Sequence, residues 1–255
     1  EIIVLGISKQ MSAKLSIFRL LVLIGISLSA YGQELSDNEA AASRNMSPVG
    51  QVNLVIGRAF LSSEVSKETR IRRGDILREG NIIRTESNGH VHIKFLDEAV
   101  MSVRPNSELH ILTYRFDESQ PENALVKFNL LEGTARSVSG MAAKTARDRF
   151  RLNTPIAAIG VRGTDFVVST TPDSLMALVN EGAIVVAPYS DQCAAQGIGP
   201  CDFNAVELDG GSMQIIEYDS TMNTPQLVPV LASGQDAQQL SEIFSGVAAR
   251  DQSFR

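Results

Sequence analysis

Two cysteines, three histidines and an arginine set between glycines are the residues whose type and spacing could carry chemistry here. Cys193 and Cys201 are the only cysteines, in the stretch DQCAAQGIGPCDFN. So close a pair, in polar Gly- and Pro-containing sequence, predicts a disulfide closing a local loop. Free thiols or a metal site are the alternatives, although a metal would want further thiolates or a nearby His. In the chain-entropy model so short a loop contributes roughly 2–3 kcal/mol. His90 and His92 share one side of an alternating run, and His110 falls in a later one that is a candidate for the neighbouring strand. Such a pair either ligates a metal or occupies solvated positions of an amphipathic strand.

Residues 154–169 read TPIAAIGVRGTDFVVS. Pro155 fixes its own φ and biases Thr154 towards extended backbone. Ile156, Ala157, Ala158 and Ile159 are apolar on both sides, the pattern of a strand buried on both faces. Gly160 and Gly163 bracket Val161 and Arg162, which predicts a bulge or a close backbone approach. Arg162, between apolar runs, is expected to be partly buried, its guanidinium held by carbonyls or by a carboxylate such as Asp165. It is then either a fold-organising arginine or a ligand-binding one. Thr164 and Phe166 complete the segment.

Other constellations carry less. Gly197-Ile198-Gly199 lacks the third glycine and the strand–helix setting of a dinucleotide fingerprint, and the chain has no G-x-S-x-G, H-E-x-x-H or P-loop. Arg73-Gly74-Asp75 spells an adhesion tripeptide but falls where a turn is expected. Lys67, Arg70, Arg72 and Arg73 are interrupted by Glu64 and Glu68, as in a solvated loop; an anionic-ligand patch is the other reading. No catalytic set emerges, so neither enzymatic activity, a cofactor nor a resident metal is expected. A net charge of −6 argues against nucleic acid as partner. Hydrophobic and charged contents of 44% and 20% are those of a globular chain.

The elements that must position these residues are short strands. Val52, Leu54 and Ile56 alternate with polar neighbours, as do Val91, Ile93 and Phe95, then Val126, Phe128 and Leu130, and later runs to Met213–Ile216. Turn signals such as Asn88-Gly89 recur about every 8–12 residues, the spacing of an all-β fold. Three runs end in Glu-Gly and restart at once, at Gly80, Gly133 and Gly182. These read as corners between strands, and their similar spacing fits either solenoid-like stacking or chance recurrence.

The ends differ. Glu1–Gln10 reads as an upstream extension. From Met11, Lys14 and Arg19 precede an apolar run, and Ala30-Tyr31-Gly32 supplies small residues for cleavage between Gly32 and Gln33. Residues 11–32 thus read as a secretory signal peptide, the alternative being an N-terminal anchor or a buried helix. Processing leaves 20 basic and 28 acidic residues and no further apolar stretch of spanning length. Residues 33–49 read as a flexible leader. Near the end, Leu240, Ile243, Phe244 and Val247 recur at helical spacing, predicting a short amphipathic helix within 233–255 that packs on the β-body or docks a partner.

TPIAAIGVRGTDFVV resembles the signature of the FecR domain. Gly50–Phe60 looks like that domain's opening strand pair, and Arg73–Gly80 like its glycine-bounded turn. Phe95-Leu96-Asp97-Glu98 is similar to its acidic hairpin turn, with Glu98 where Gly is usual. The resemblance covers about residues 50–190, and 191–232 would continue it with the disulfide loop and final strands. It implies an all-β, solenoid-like envelope module without enzymatic activity. FecR-type regulators usually carry a cytoplasmic sigma-controlling region and a transmembrane helix first. A cleavable signal stands here instead, so direct control of a sigma factor is not expected. The sequence therefore points to a periplasmic or secreted protein that binds another envelope protein, a membrane sensor or an outer-membrane component, through strand edges or loops. A structural or polysaccharide-binding module is the alternative; the absence of Trp weighs against it.

Overall fold

The computed structural model describes residues 47–230. The expected signal peptide with its Gly32/Gln33 cleavage point, most of the leader and the expected C-terminal helix lie outside the described residues. The described chain is predominantly β. In order it forms β1 (Pro48–Ile56), β2 (Ala59–Ser63), β3 (Ser66–Arg70), β4 (Ile76–Arg78), β5 (Ile82–Thr85), β6 (His90–Phe95), β7 (Val100–Val103), β8 (Glu108–Arg115) and β9 (Leu125–Val138). A short helix α1 (Met141–Thr145) follows, then β10 (Phe150–Asn153), β11 (Ala157–Val161), β12 (Asp165–Thr170), β13 (Ser174–Glu181) and β14 (Ala183–Pro188). A second helix α2 (Asp191–Gln196) precedes β15 (Val206–Asp209), β16 (Gln214–Asp219) and β17 (Gln226–Pro229).

The strands pair into two series. The first runs β4-β1-β6-β7-β9-β12-β13-β16-β17. The second runs β3-β2-β5-β8-β9-β10-β11-β14-β15. Every pairing in them is antiparallel except β9 with β10. Strand β9 serves both: residues 125–132 pair in the second series and 133–138 in the first. All the strands thus join one hydrogen-bonded system. The switch falls at Gly133, with φ +89°; a Cβ there would lie 2.2 Å from Ser107 Oγ and 2.4 Å from the Asn106 carbonyl. Only glycine permits both that backbone and that approach. Glu132-Gly133 was expected as a corner between strands; it is a bend inside one strand that changes sheet. Gly80 and Gly182 do separate strands, and at each the chain passes from the first series to the second.

The core lies between the two series. Period-two alternation turns Val91, Ile93, Phe95, Met101 and Val103 of the first towards Leu109, Ile111, Tyr114, Phe128 and Leu130 of the second, all buried in one cluster. Phe95 stacks on Tyr114 with centroids 4.5 Å apart, and Phe128 meets both rings edge-on-tilted before passing contact to Phe150. Asp97, in the acidic turn, ties this cluster to α1. Its carboxylate accepts from the Tyr114 hydroxyl, from the Ala99 N–H at 3.1 Å and from the Ala142 N–H at 3.0 Å. Burial, reinforced by the Asp97 charge, pushes the Tyr114 phenol far above its ordinary range.

Two local expectations change. β1 and β2 do not form a strand pair with each other; they lie in different series, joined through Gly57. Lys67 and Arg70 of the basic stretch stand not in a loop but on the edge strand β3, exposed along its length, whose Glu68 takes a two-pronged ion pair from Arg84, while Arg72 and Arg73 lie in the exposed connection to β4. Charged side chains on a terminal strand oppose edge-to-edge pairing.

Candidate functional site

The segment singled out by sequence sits where the second series meets the disulfide loop. Thr154 opens the turn between β10 and β11. Its N–H donates to the Ala157 carbonyl at 2.8 Å, while its Oγ1 accepts from the Ala157 N–H at 3.0 Å. Pro155 occupies the second position of that turn, where its fixed φ is already suited. Just before it, Asn153 lies in register with Asn129 across the parallel pair, and their amides are linked at 3.1 Å.

β11 is buried along its whole length, as the doubly apolar pattern predicts. Ile159 and Val161 face the main core, whereas Ala158 packs with Ala187, Cys193 and Cys201 on the opposite face. Gly160 makes this second contact possible. A Cβ there would stand 2.6 Å from Pro200 Cβ, so the loop lies directly on the strand backbone. β11 carries no bulge; close approach is the reason for Gly160. Cys193 and Cys201 are bonded, as expected, and both are buried. Ser190 caps α2 inside this loop by accepting the Cys193 N–H at 3.2 Å.

The buried guanidinium exists, but it belongs to Arg151 and not to Arg162. Arg151 is fully buried. Its Nε donates to the Gly199 carbonyl at 2.6 Å, its Nη1 to Cys193 at 3.0 Å and its Nη2 to Ile198 at 3.2 Å, with Cys201 Sγ also at 3.1 Å. Every one of these acceptors is in the disulfide loop. Burial draws its pKa below the ordinary value, and the cage of carbonyls offsets that loss of hydration. Arg162, by contrast, is exposed and meets Glu207 only at 3.6 Å, with side-chain exposures of 42% and 48%. It follows the last residue of β11, and Glu207 stands on β15.

Asp165 has a different partner from the one expected. It opens β12 and receives Nε and Nη2 of Arg136 at 2.8 and 2.6 Å, a two-pronged pair between neighbouring strands. Gly163 turns the chain between the two series with φ +72°. Thr164 is buried; its N–H donates to Ser139 Oγ at 2.9 Å, and its carbonyl accepts the Ser139 N–H at 2.8 Å. Phe166 is a fully buried core residue. The segment thus organises a turn, a loop seat and a crossing between sheets.

The histidines divide between the sheets. His90 and His92 are buried on the outer face of the first, stacked with ring centroids 4.5 Å apart, and His92 Nδ1 meets Ser102 Oγ at 3.0 Å. His110 is on the second, hydrogen-bonded to Glu108 at 2.8 Å. Among the described residues no group of three or more His, Cys, Asp or Glu is placed to hold a metal ion. Nor is any described helix long and apolar enough to cross a membrane.

Strand edges remain as contact surfaces. β3 is charged, β15 carries Glu207 and Asp209, and β4 is three residues long. β17 closes the first series with the uncharged run QLVP, and Leu227 is 42% exposed. A cleft of about 280 Å³ opens near it, lined by Thr171, Ser174, Glu217, Tyr218 and Met222 among others. Sequence reading did not find this edge, because the order of strands in a sheet depends on non-local pairing.

Comparison with known proteins adds one family match and two likenesses. Residues 81–185 match the family described as FecR protein. No curated protein matches the chain significantly. Two crystal structures of a candidate anti-sigma factor from Parabacteroides distasonis, at 1.65 and 2.50 Å resolution, are similar at 16% identity and TM-score 0.41. Each match covers 63% of this chain and 62% of the other, so it spans less than two thirds of that protein.

Proposed function

We propose that this chain is a non-enzymatic regulatory or signalling module of the FecR type, exported to the periplasm or beyond, which works by binding another envelope protein. The FecR match over residues 81–185 carries this reading. The charged start, apolar run and small-residue pattern of residues 11–32 supply the export half of it. The repeated passage of the chain between two strand series supports a coil-like winding of the domain, and the amphipathic stripe from Leu240 supports a C-terminal helix.

The β17 edge is the surface on which we place the partner. Among the described residues this uncharged strand pairs on one side only, with β16, so its other side can take an added strand, and the neighbouring cleft can receive one of its side chains. The membrane-side or outer-membrane partner would contribute an extended segment. Expression of the full gene followed by fractionation and N-terminal sequencing tests export: the expected product starts at Gln33 in the periplasm. An unprocessed chain in the cytosol would refute it. Leu227→Lys tests the edge, since a charge there should abolish partner capture and leave the thermal unfolding of the domain unchanged.

A further inference from the structure

The disulfide loop covers Arg151, and a second cation stands beside it. Lys127 of β9 stands in register beside Arg151 of β10. Burial, and after it the neighbouring guanidinium, hold the Lys127 ammonium below its ordinary pKa. Among the described residues neither cation has a carboxylate partner: the acceptors on Arg151 are the loop's neutral carbonyls and a sulfur, and Lys127 makes no ion pair. Two adjacent positive charges without an acid are electrostatically unbalanced, and a small oxyanion would balance them.

The loop itself is seated on small residues. Under it lie Ala158, Gly160 and Ala187, which offer almost no side chain for interdigitation. The covalent bond between Cys193 and Cys201 and the four contacts to Arg151 hold it in place. Its carbonyls occupy the positions around the guanidinium where the oxygens of an anion would sit.

We propose that Arg151 and Lys127 form a binding site for a small oxyanion such as phosphate, kept closed by the disulfide loop and opened when the disulfide is reduced. A dithiol is the reductant. Its thiolate attacks one sulfur, the Cys193–Cys201 bond breaks, and a mixed disulfide forms. The reductant's second thiol resolves it, so that two electrons and two protons end on the cysteines and the dithiol leaves as its own disulfide. Freed of its closure, the loop lifts from the flat strand surface. The planar guanidinium then exchanges loop carbonyls for two anion oxygens, and Lys127 adds a second charge. This site is independent of the partner contact proposed at β17.

The test uses the full processed chain, oxidised and reduced with dithiothreitol, with alkylation to confirm two free thiols. Thermal unfolding is followed by circular dichroism in inorganic phosphate and in chloride of equal ionic strength. The expected result is a phosphate-dependent rise in Tm of about 5 °C or more in the reduced chain at saturating anion, and under about 1 °C in the oxidised chain. Cys193→Ser/Cys201→Ser should show the reduced behaviour without reductant, and adding Arg151→Met to it should abolish the rise. Equal responses in both redox forms, or a response that survives Arg151→Met, would overturn the proposal. So would a reduced chain that no longer melts cooperatively, since the bond would then be a staple of the fold and not a latch.

Discussion

Replacing Arg151 and Arg162 in turn separates a caged guanidinium from a solvated one. Arg151→Met keeps much of the side-chain volume but leaves the Gly199, Cys193 and Ile198 carbonyls without their donors. Each buried carbonyl left unpaired costs about 1–3 kcal/mol. Part of this is returned because a cation no longer has to be desolvated. The net loss should be about 3 kcal/mol, or roughly 6–12 °C at about 2–4 °C per kcal/mol for a domain of this size. Arg162→Ala removes a single 3.6 Å pair whose partners are 42% and 48% exposed. That should cost no more than about 0.5 kcal/mol. Urea unfolding of both variants beside the parent, followed by far-UV circular dichroism because the chain has no Trp, gives the comparison directly. A larger loss for Arg162→Ala than for Arg151→Met would refute the assignment of the buried role.

Tyr114→Phe removes a hydrogen bond to a buried carboxylate and should cost about 1.5–3 kcal/mol in the same unfolding assay. The Tyr114 phenol has a raised pKa in the folded state, so its stabilisation is intact below the unfolded value of about 10 and is lost as pH rises beyond it. The parent's melting temperature should therefore fall steeply above about pH 10, and that of Tyr114→Phe should fall less steeply. Gly160→Val should displace the disulfide loop, because its Cβ would meet Pro200 Cβ at 2.6 Å; faster amide exchange in residues 191–201 would register this. Asp165→Asn weakens the two-pronged pair with Arg136 and should cost about 1 kcal/mol, given its partial exposure.

How much of this was legible in the sequence depended on range. Alternation is local, so the runs around Val91 and Val126 announced their strands and inward faces. The corners at Gly80 and Gly182 were visible because positive φ follows from residue type alone, whereas nothing local showed that Gly133 bends one strand from sheet to sheet. The cysteine pair was legible because eight residues in sequence keep two side chains close. Which arginine is buried was not. Arg151 sits in FRLN, which reads as an ordinary alternating strand with Arg on the wet side. Its burial comes from a loop more than forty residues later, folded back across that face. The same limit misplaced the partner of Asp165, because Arg136 reaches it only through the β9–β12 pairing. His110 likewise looked like a neighbour of His90 and His92 until sheet membership separated them.

Site-specific photo-cross-linking in living cells tests the central claim, that this module acts through a strand edge and not through its glycine-bracketed arginine. A photoreactive residue is placed at Leu227 in one strain and at Arg162 in another, and the tagged chain is recovered from the envelope after irradiation. The account predicts one discrete cross-linked protein at Leu227 and none at Arg162; the opposite pattern would contradict it.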